Sequence, residues 1–170
     1  ELDRVYTAMG ERALNAHTWV EETVYKVDLP ANRIEQWAKV EADRFHKPVF
    51  RLFQTELETV YEEKNRSMDN KGWVIREAVQ DQFYKVHPYR IQMIGTVEHL
   101  KNPSLERMYA FYNTYYVPNN MAILISGNID IEKTIQLIDR EFSIWEYKEL
   151  PKSPKYKEPK IKGVERVSVN

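Results

Sequence analysis

The stretch Glu56-Leu57-Glu58-Thr59-Val60-Tyr61-Glu62-Glu63-Lys64-Asn65-Arg66 places four carboxylates within eight residues and threads apolar residues between them. Read as a helix, it brings Glu56, Val60 and Glu63 to one face at i, i+4 and i+7. Seven residues are nearly two whole turns, so Glu56 and Glu63 point the same way, about 10 Å apart along the axis. Like charges on one helix face are mildly unfavourable, and a cation bound nearby reverses that sign. The stretch therefore reads in two ways: as a solvated acidic stripe, which its own residues favour, or as carboxylates facing a cation. A helix is expected from about Leu52 to Asp69. Asn70-Lys71-Gly72 interrupts it, and it resumes from Trp73 to Tyr84 with Val74, Ala78 and Phe83 inward.

The flanking segments set the fold class. Leu2 to Met9 carries apolar residues at helical spacing and stops near Gly10. Ala13 to Trp19 and Thr23 to Leu29 read as two strands or one long bent hairpin. Pro30 suits a first helical turn, and Asn32 to His46 repeats Ile34, Trp37, Ala38, Val40 and Phe45 on one face. Lys47-Pro48 breaks that helix. His87-Pro88-Tyr89 is a loop signal, and Ile91 to Lys101 has no clean period. Ser104 caps a helix to about Tyr115. Met121 to Ser126 is a continuous apolar run, expected to be a central strand buried on both faces or nearly so. Asp130 caps a last helix carrying Ile131, Ile135, Leu137, Ile138 and Phe142. Strand patterns separated by long helical runs, opening on a hairpin, predict an α+β fold.

After Trp145 the texture changes. Residues 146–163 hold Pro151, Pro154 and Pro159 among six lysines, the pattern of an extended, solvated connector. Val164 to Val169 is apolar enough for a strand. The expected domain plan is thus 1–145, a connector at 146–163, and the start of a following strand or domain at 164–170.

Composition narrows the function classes. A chain of 170 residues with 42% apolar and 12% aromatic content can build a core. Lys plus Arg number 25 against 26 Asp plus Glu, which argues against a general nucleic-acid binder. There is no cysteine, so disulfides and thiolate metal sites are excluded. No apolar run approaches the ~20 residues of a membrane span. The sequence opens at Glu1 without a signal-like stretch and is expected to be an internal piece of a longer protein.

Five ordered segments resemble the M16 metallopeptidases, the pitrilysin, insulin-degrading and mitochondrial processing peptidase family. They are Leu14-Asn15-Ala16-His17-Thr18 with Thr23-Val24-Tyr25; Leu29-Pro30, Trp37, Glu41-Ala42-Asp43-Arg44 and Pro48-Val49-Phe50; Glu56 through Glu63 to Arg66, Met68, Asp69 and Asn70; His87-Pro88-Tyr89, Ile94-Gly95 and His99-Leu100; and Tyr112, then Tyr115 to Met121 with Ser126-Gly127. Together they run in the family's order from about Gly10 to Phe142.

The resemblance implies a LuxS/MPP-like metallohydrolase domain, mostly antiparallel sheet with helices packed on one face, here truncated at its N-terminus. It implies zinc, held by two histidines of a His-x-x-Glu-His helix and by a downstream Glu in a Glu-x6-Glu pattern. Three such ligands leave the fourth zinc position for a water, whose pKa the metal lowers. Glu63 matches the zinc ligand and Glu56 the accessory catalytic carboxylate; Glu62 points about 100° away. The His-x-x-Glu-His motif is absent, since His17, His46, His87 and His99 include no pair four apart. It is expected upstream of Glu1, which leaves this piece alone inactive and its zinc absent or weakly held.

Asn15, Ala16, His17 and Thr18 resemble the sheet edge that binds an extended peptide by strand addition. His17 reads equally as a substrate-contacting residue and as an ordinary strand histidine. The remaining three histidines read as helix-end or loop residues. The implied partners are a peptide substrate and further M16 domains of the same chain or of a second subunit, with no nucleic acid and no membrane span. The implied activity is zinc-dependent hydrolysis of extended peptides, in the bacterial periplasm or cytoplasm. The alternative is a non-catalytic M16 half that holds substrate and assists assembly.

Overall fold

The computed structural model describes residues 2–51, 53–101, 103–166 and 168. They form two units, Glu1–Phe50 with Glu106–Pro151 and Arg51–Leu105 with Lys152–Asn170.

In the first unit, α1 (Leu2–Ala8) ends where Gly10 adopts φ +84°. Its N–H bonds Thr7 O at 3.0 Å, and Glu11 N–H bonds Tyr6 O at 3.0 Å. This is the left-handed glycine stop, in which two orphan carbonyls of the last turn are satisfied at once. β1 (Ala13–Thr18) and β2 (Thr23–Asp28) then pair antiparallel, from Ala13 opposite Asp28 to Thr18 opposite Thr23. Trp19 N–H closes the turn on Glu22 O at 2.8 Å, without any glycine or asparagine. A single 3₁₀ turn over Ala31–Arg33 leads into α2 (Ile34–His46). Ala38 and Ala42, one turn apart on α2, are buried, and α2 packs with α7 (Ile131–Phe142), whose Leu137 is also buried. Asp130 caps α7 by accepting Lys133 N–H at 3.1 Å, as expected from its sequence.

The second unit is helical. α3 (Phe53–Met68) and α4 (Lys71–Phe83) pack together, and α3 also packs with α5 (Val97–Lys101). Asn70 is not a mere interruption between α3 and α4. Its side chain accepts Gly72 N–H at 2.9 Å and Trp73 N–H at 3.3 Å, so α4 starts at Lys71, two residues earlier than its apolar period. His87 caps a 3₁₀ turn over Pro88–Arg90 by accepting Tyr89 N–H on Nδ1 at 3.2 Å. α6 (Leu105–Tyr115) lies almost wholly in the first unit.

Three expectations need correction. Met121 starts the apolar run extended, at φ −128° and ψ 155°, yet residues 121–126 form no strand and Leu124 is 92% exposed. A strand is defined by ladder hydrogen bonds, and the β1–β2 pair is the only ladder among the described residues. For the same reason the sheet has two strands there, and the α+β content is mostly helical rather than mostly sheet. Phe83 is 69% exposed rather than inward. The packed face of α4 is centred on Glu77, about 120° away around the helix, and Ile75, Val79 and Phe83 are left outside. Of the strand expected at Val164–Val169, residues 164–166 and 168 are not in a strand, and Val167 and Val169 lie outside the described residues.

Candidate functional site

The two carboxylates singled out by spacing lie on α3. Taking about 100° per residue, Glu56 and Glu63 fall within about 20° of each other around the helix. Both are exposed, as is Glu62. The direction they point is set by what α3 buries. Phe53, Leu57, Val60 and Tyr61 are half-buried on one face, and Lys64 at its centre is 2% exposed. Glu56 and Glu63 sit on the flank of that face, roughly a quarter-turn from Lys64.

A fully buried lysine requires a partner. Lys64 Nζ donates to both carboxylate oxygens of Glu77 on α4, at 3.1 and 3.3 Å. This pair pins the rotation of α3 against α4 and thereby the flank that carries Glu56 and Glu63. Spacing did not single it out. The available signal was Lys64 interrupting the apolar stripe Leu57, Val60, Tyr61.

Asn15, Ala16, His17 and Thr18 occupy one strand, β1, and all four are exposed. Ala16 N–H is taken by the Asn15 side-chain oxygen at 2.8 Å, and Thr18 Oγ1 lies 3.3 Å from Thr23 Oγ1 across the hairpin. An exposed strand edge offers backbone donors and acceptors to a further strand, and here one donor is already satisfied locally. The β1 residues belong to the first unit and the α3 carboxylates to the second.

Beside β2, the first unit holds an aromatic cluster around the end of α2. Tyr112 stacks on Tyr116 with ring centroids 4.2 Å apart, and Tyr25 OH lies 2.9 Å from Tyr116 OH. The Arg44 guanidinium covers Phe45 at 4.1 Å and Tyr25 at 4.9 Å. Burial raises the Tyr25 and Tyr112 hydroxyls well above the usual tyrosine range. Glu41 is buried, accepts from Tyr6 OH and pairs with Arg44. Burial raises its pKa, with the Arg44 hydrogen bond and charge opposing. A cleft of about 310 Å³ opens beside this cluster, lined by Phe45, His46, Tyr112, Tyr116 and Trp145 among others. No sequence-predicted site residue lines it.

Zinc demands three protein ligands of nitrogen, sulfur or oxygen type. Among the described residues no group of three or more His, Cys, Asp or Glu is gathered to hold a metal.

Comparison with known proteins decides the kinship. Residues 103–170 match the family model of the peptidase M16 inactive domain. The zinc protease YmfH of Bacillus subtilis is 31% identical over 126 residues, 73% of this chain and 29% of that protein. The chain belongs to the M16 peptidase family. The Helicobacter pylori zinc protease PqqE is 28% identical over 122 residues, 69% of this M16 chain and 27% of the relative. The crystal structure of a protease from Helicobacter pylori superposes with a TM-score of 0.84 at 24% identity, covering 94% of this chain and 40% of that one. The first half of the periplasmic protease PqqL from Escherichia coli superposes with a TM-score of 0.79 at 21% identity, covering 93% and 36%. The M16 chain thus spans less than a third of the length of either curated relative and shares the fold of part of an M16 protease.

Proposed function

We propose that this chain is part of a zinc-dependent metalloendopeptidase that hydrolyses extended peptides, and that it is inactive alone. The carrying observation is the Glu56–Glu63 pair, seven residues apart on one flank of α3, in a chain with the M16 motif order. In this reading Glu63 is one zinc ligand and Glu56 the accessory carboxylate. Asn15, Ala16, His17 and Thr18 form the edge that receives the peptide backbone. The remaining ligands and the general base come from a His-x-x-Glu-His segment outside these residues. The names of the relatives, zinc proteases of which this chain covers less than a third, support the reading.

The finer fold assignment is a LuxS/MPP-like domain at 1–145, a connector at 146–163 and a following strand or domain from 164. The partners are a peptide and further M16 domains of the same chain or of a second subunit. The compartment is the bacterial periplasm or cytoplasm; the similar PqqL is described as periplasmic, and among the described residues no helix is long and apolar enough to cross a membrane.

A non-catalytic, substrate-holding half is the second reading. It is favoured by the "inactive domain" description, but that match covers 103–170 and leaves out Glu56 and Glu63.

The test compares the intact protein with its Glu63→Gln variant. Zinc content by mass spectrometry and cleavage of an unfolded peptide are both measured. Loss of bound zinc and of cleavage together supports the peptidase reading. Unchanged zinc content rejects Glu63 as a ligand, and an intact protein without zinc or cleavage selects the non-catalytic half.

A further inference from the structure

The Pro/Lys-rich segment has the composition of a free tether, but one of its residues is held tightly. The Glu158 carboxylate accepts three successive backbone N–H groups just past the end of α4. Lys85 N donates at 2.9 Å, Val86 N at 3.0 and 3.3 Å, and His87 N at 2.6 Å. A helix C-terminus is the wrong end for a negative charge. Only a loop that turns consecutive N–H groups toward one point makes a carboxylate favourable there, as in an anion nest.

Two further contacts flank it. The Tyr156 ring meets the His87 ring at 4.9 Å, and Lys85 Nζ pairs with Glu165 at 2.8 Å. Residues 156 to 165 are thereby attached at three points, and Glu158 is the half-buried residue of an otherwise exposed 152–166. Pro154 and Pro159 keep the intervening chain extended, which lowers the entropy lost on docking.

We propose that residues 152–166 are a docked strap, with Glu158 as the latch that fastens it to the 85–87 loop and lets go on acidification. The groups that face the latch are His87 and Lys85 from the loop. Gln82 on α4 and Glu165 on the strap both bind Lys85 Nζ, and Arg90 bonds Lys85 O while pairing with Asp81. The hydrogen bond from His87 N–H, aided by those from Lys85 and Val86 and opposed by desolvation, holds the Glu158 carboxyl below the usual range. A carboxylate lowered in the docked state stabilises docking above its undocked pKa. That stabilisation is lost as the pH falls through the lowered value. Neutral solution keeps the strap closed, and acid frees the segment while removing the one group that accepts all three N–H donors.

The experiment is amide hydrogen exchange on the intact protein, read at residues 85–87 and corrected for intrinsic rates. Glu158→Gln keeps the shape and removes the charge; about tenfold faster exchange is expected, the size of a charge-assisted hydrogen bond. Lys85→Met removes the Nζ contacts to Glu165 and Gln82, keeps every backbone N–H that Glu158 accepts, and leaves exchange at 86 and 87 within about twofold. Wild-type protein taken from pH 7 to pH 3 loses the same protection while α4 keeps its own. Unchanged exchange at 85–87 in Glu158→Gln, or protection there that survives acid, overturns the latch.

Discussion

The two units bury different things. Among the described residues the buried hydrophobic side chains are Tyr6, Met9, Ala38, Ala42, Val117 and Leu137, and all six lie in the first unit. The first also buries Glu41, while among the described residues the second buries Lys64 and Gln92 and no hydrophobic side chain. The first is held by apolar area and stacked rings, which are non-directional and tolerant. The second is held by polar partners, Lys64 on Glu77, Gln92 on Gln80 and Glu158 on its loop. Such contacts are directional and costly when half-broken. They position helices well and stabilise them little. The carboxylates proposed to face zinc ride on this second, orientation-giving unit, while the strand proposed to bind peptide rides on the first.

The largest effect expected from this contrast is in the first unit. Tyr6→Ala removes a ring that is 1% exposed and the donor to buried Glu41, and costs about 3–5 kcal/mol. A shift in the urea midpoint worth less than about 1 kcal/mol breaks the claim that this unit rests on its core. Next comes the second unit. Glu77→Ala leaves Lys64 buried without its partner and costs about 1–3 kcal/mol, reduced because Glu77 is partly solvated. Lys64→Met combined with Glu77→Met restores stability to within about 1 kcal/mol, since an apolar pair replaces the buried ion pair. A double variant no better than the single one shows that Lys64 is not the centre of the packed face. The smallest effect is on the outer face of α4, where Val79→Lys stays within about 0.5 kcal/mol. A larger loss there shows that Ile75, Val79 and Phe83 are covered.

Much of the fold was legible in local pattern. The stop at Gly10, the hairpin, the cap at Asp130 and the helices from Ile34, Phe53, Leu105 and Ile131 follow from signals that act within a turn or two. The start of α4 at Lys71 is hard to see in the sequence because Asn70 reads as a break there, whereas in the fold it caps the helix. Phe83 reads as inward because apolar periodicity assumes that a helix buries its apolar side. α4 instead turns Glu77 inward to meet Lys64, a partner thirteen residues away that no local period contains. The run from Met121 to Ser126 failed for the opposite reason. Its local pattern is that of a strand, but strands exist through neighbours.

The sequence by itself determined the hairpin, the order of the long helices, the M16 motif order and the shared face of Glu56 and Glu63, because helical repeat and spacing are properties of a single segment. Only the tertiary structure decided which way that face turns. A buried ammonium must find a carboxylate, Glu77 lies on the next helix, and meeting it sets the rotation of α3. By the same logic a proline- and lysine-rich stretch became an attached strap. Its fate rested on three N–H groups that converge on Glu158 only once the end of α4 has folded.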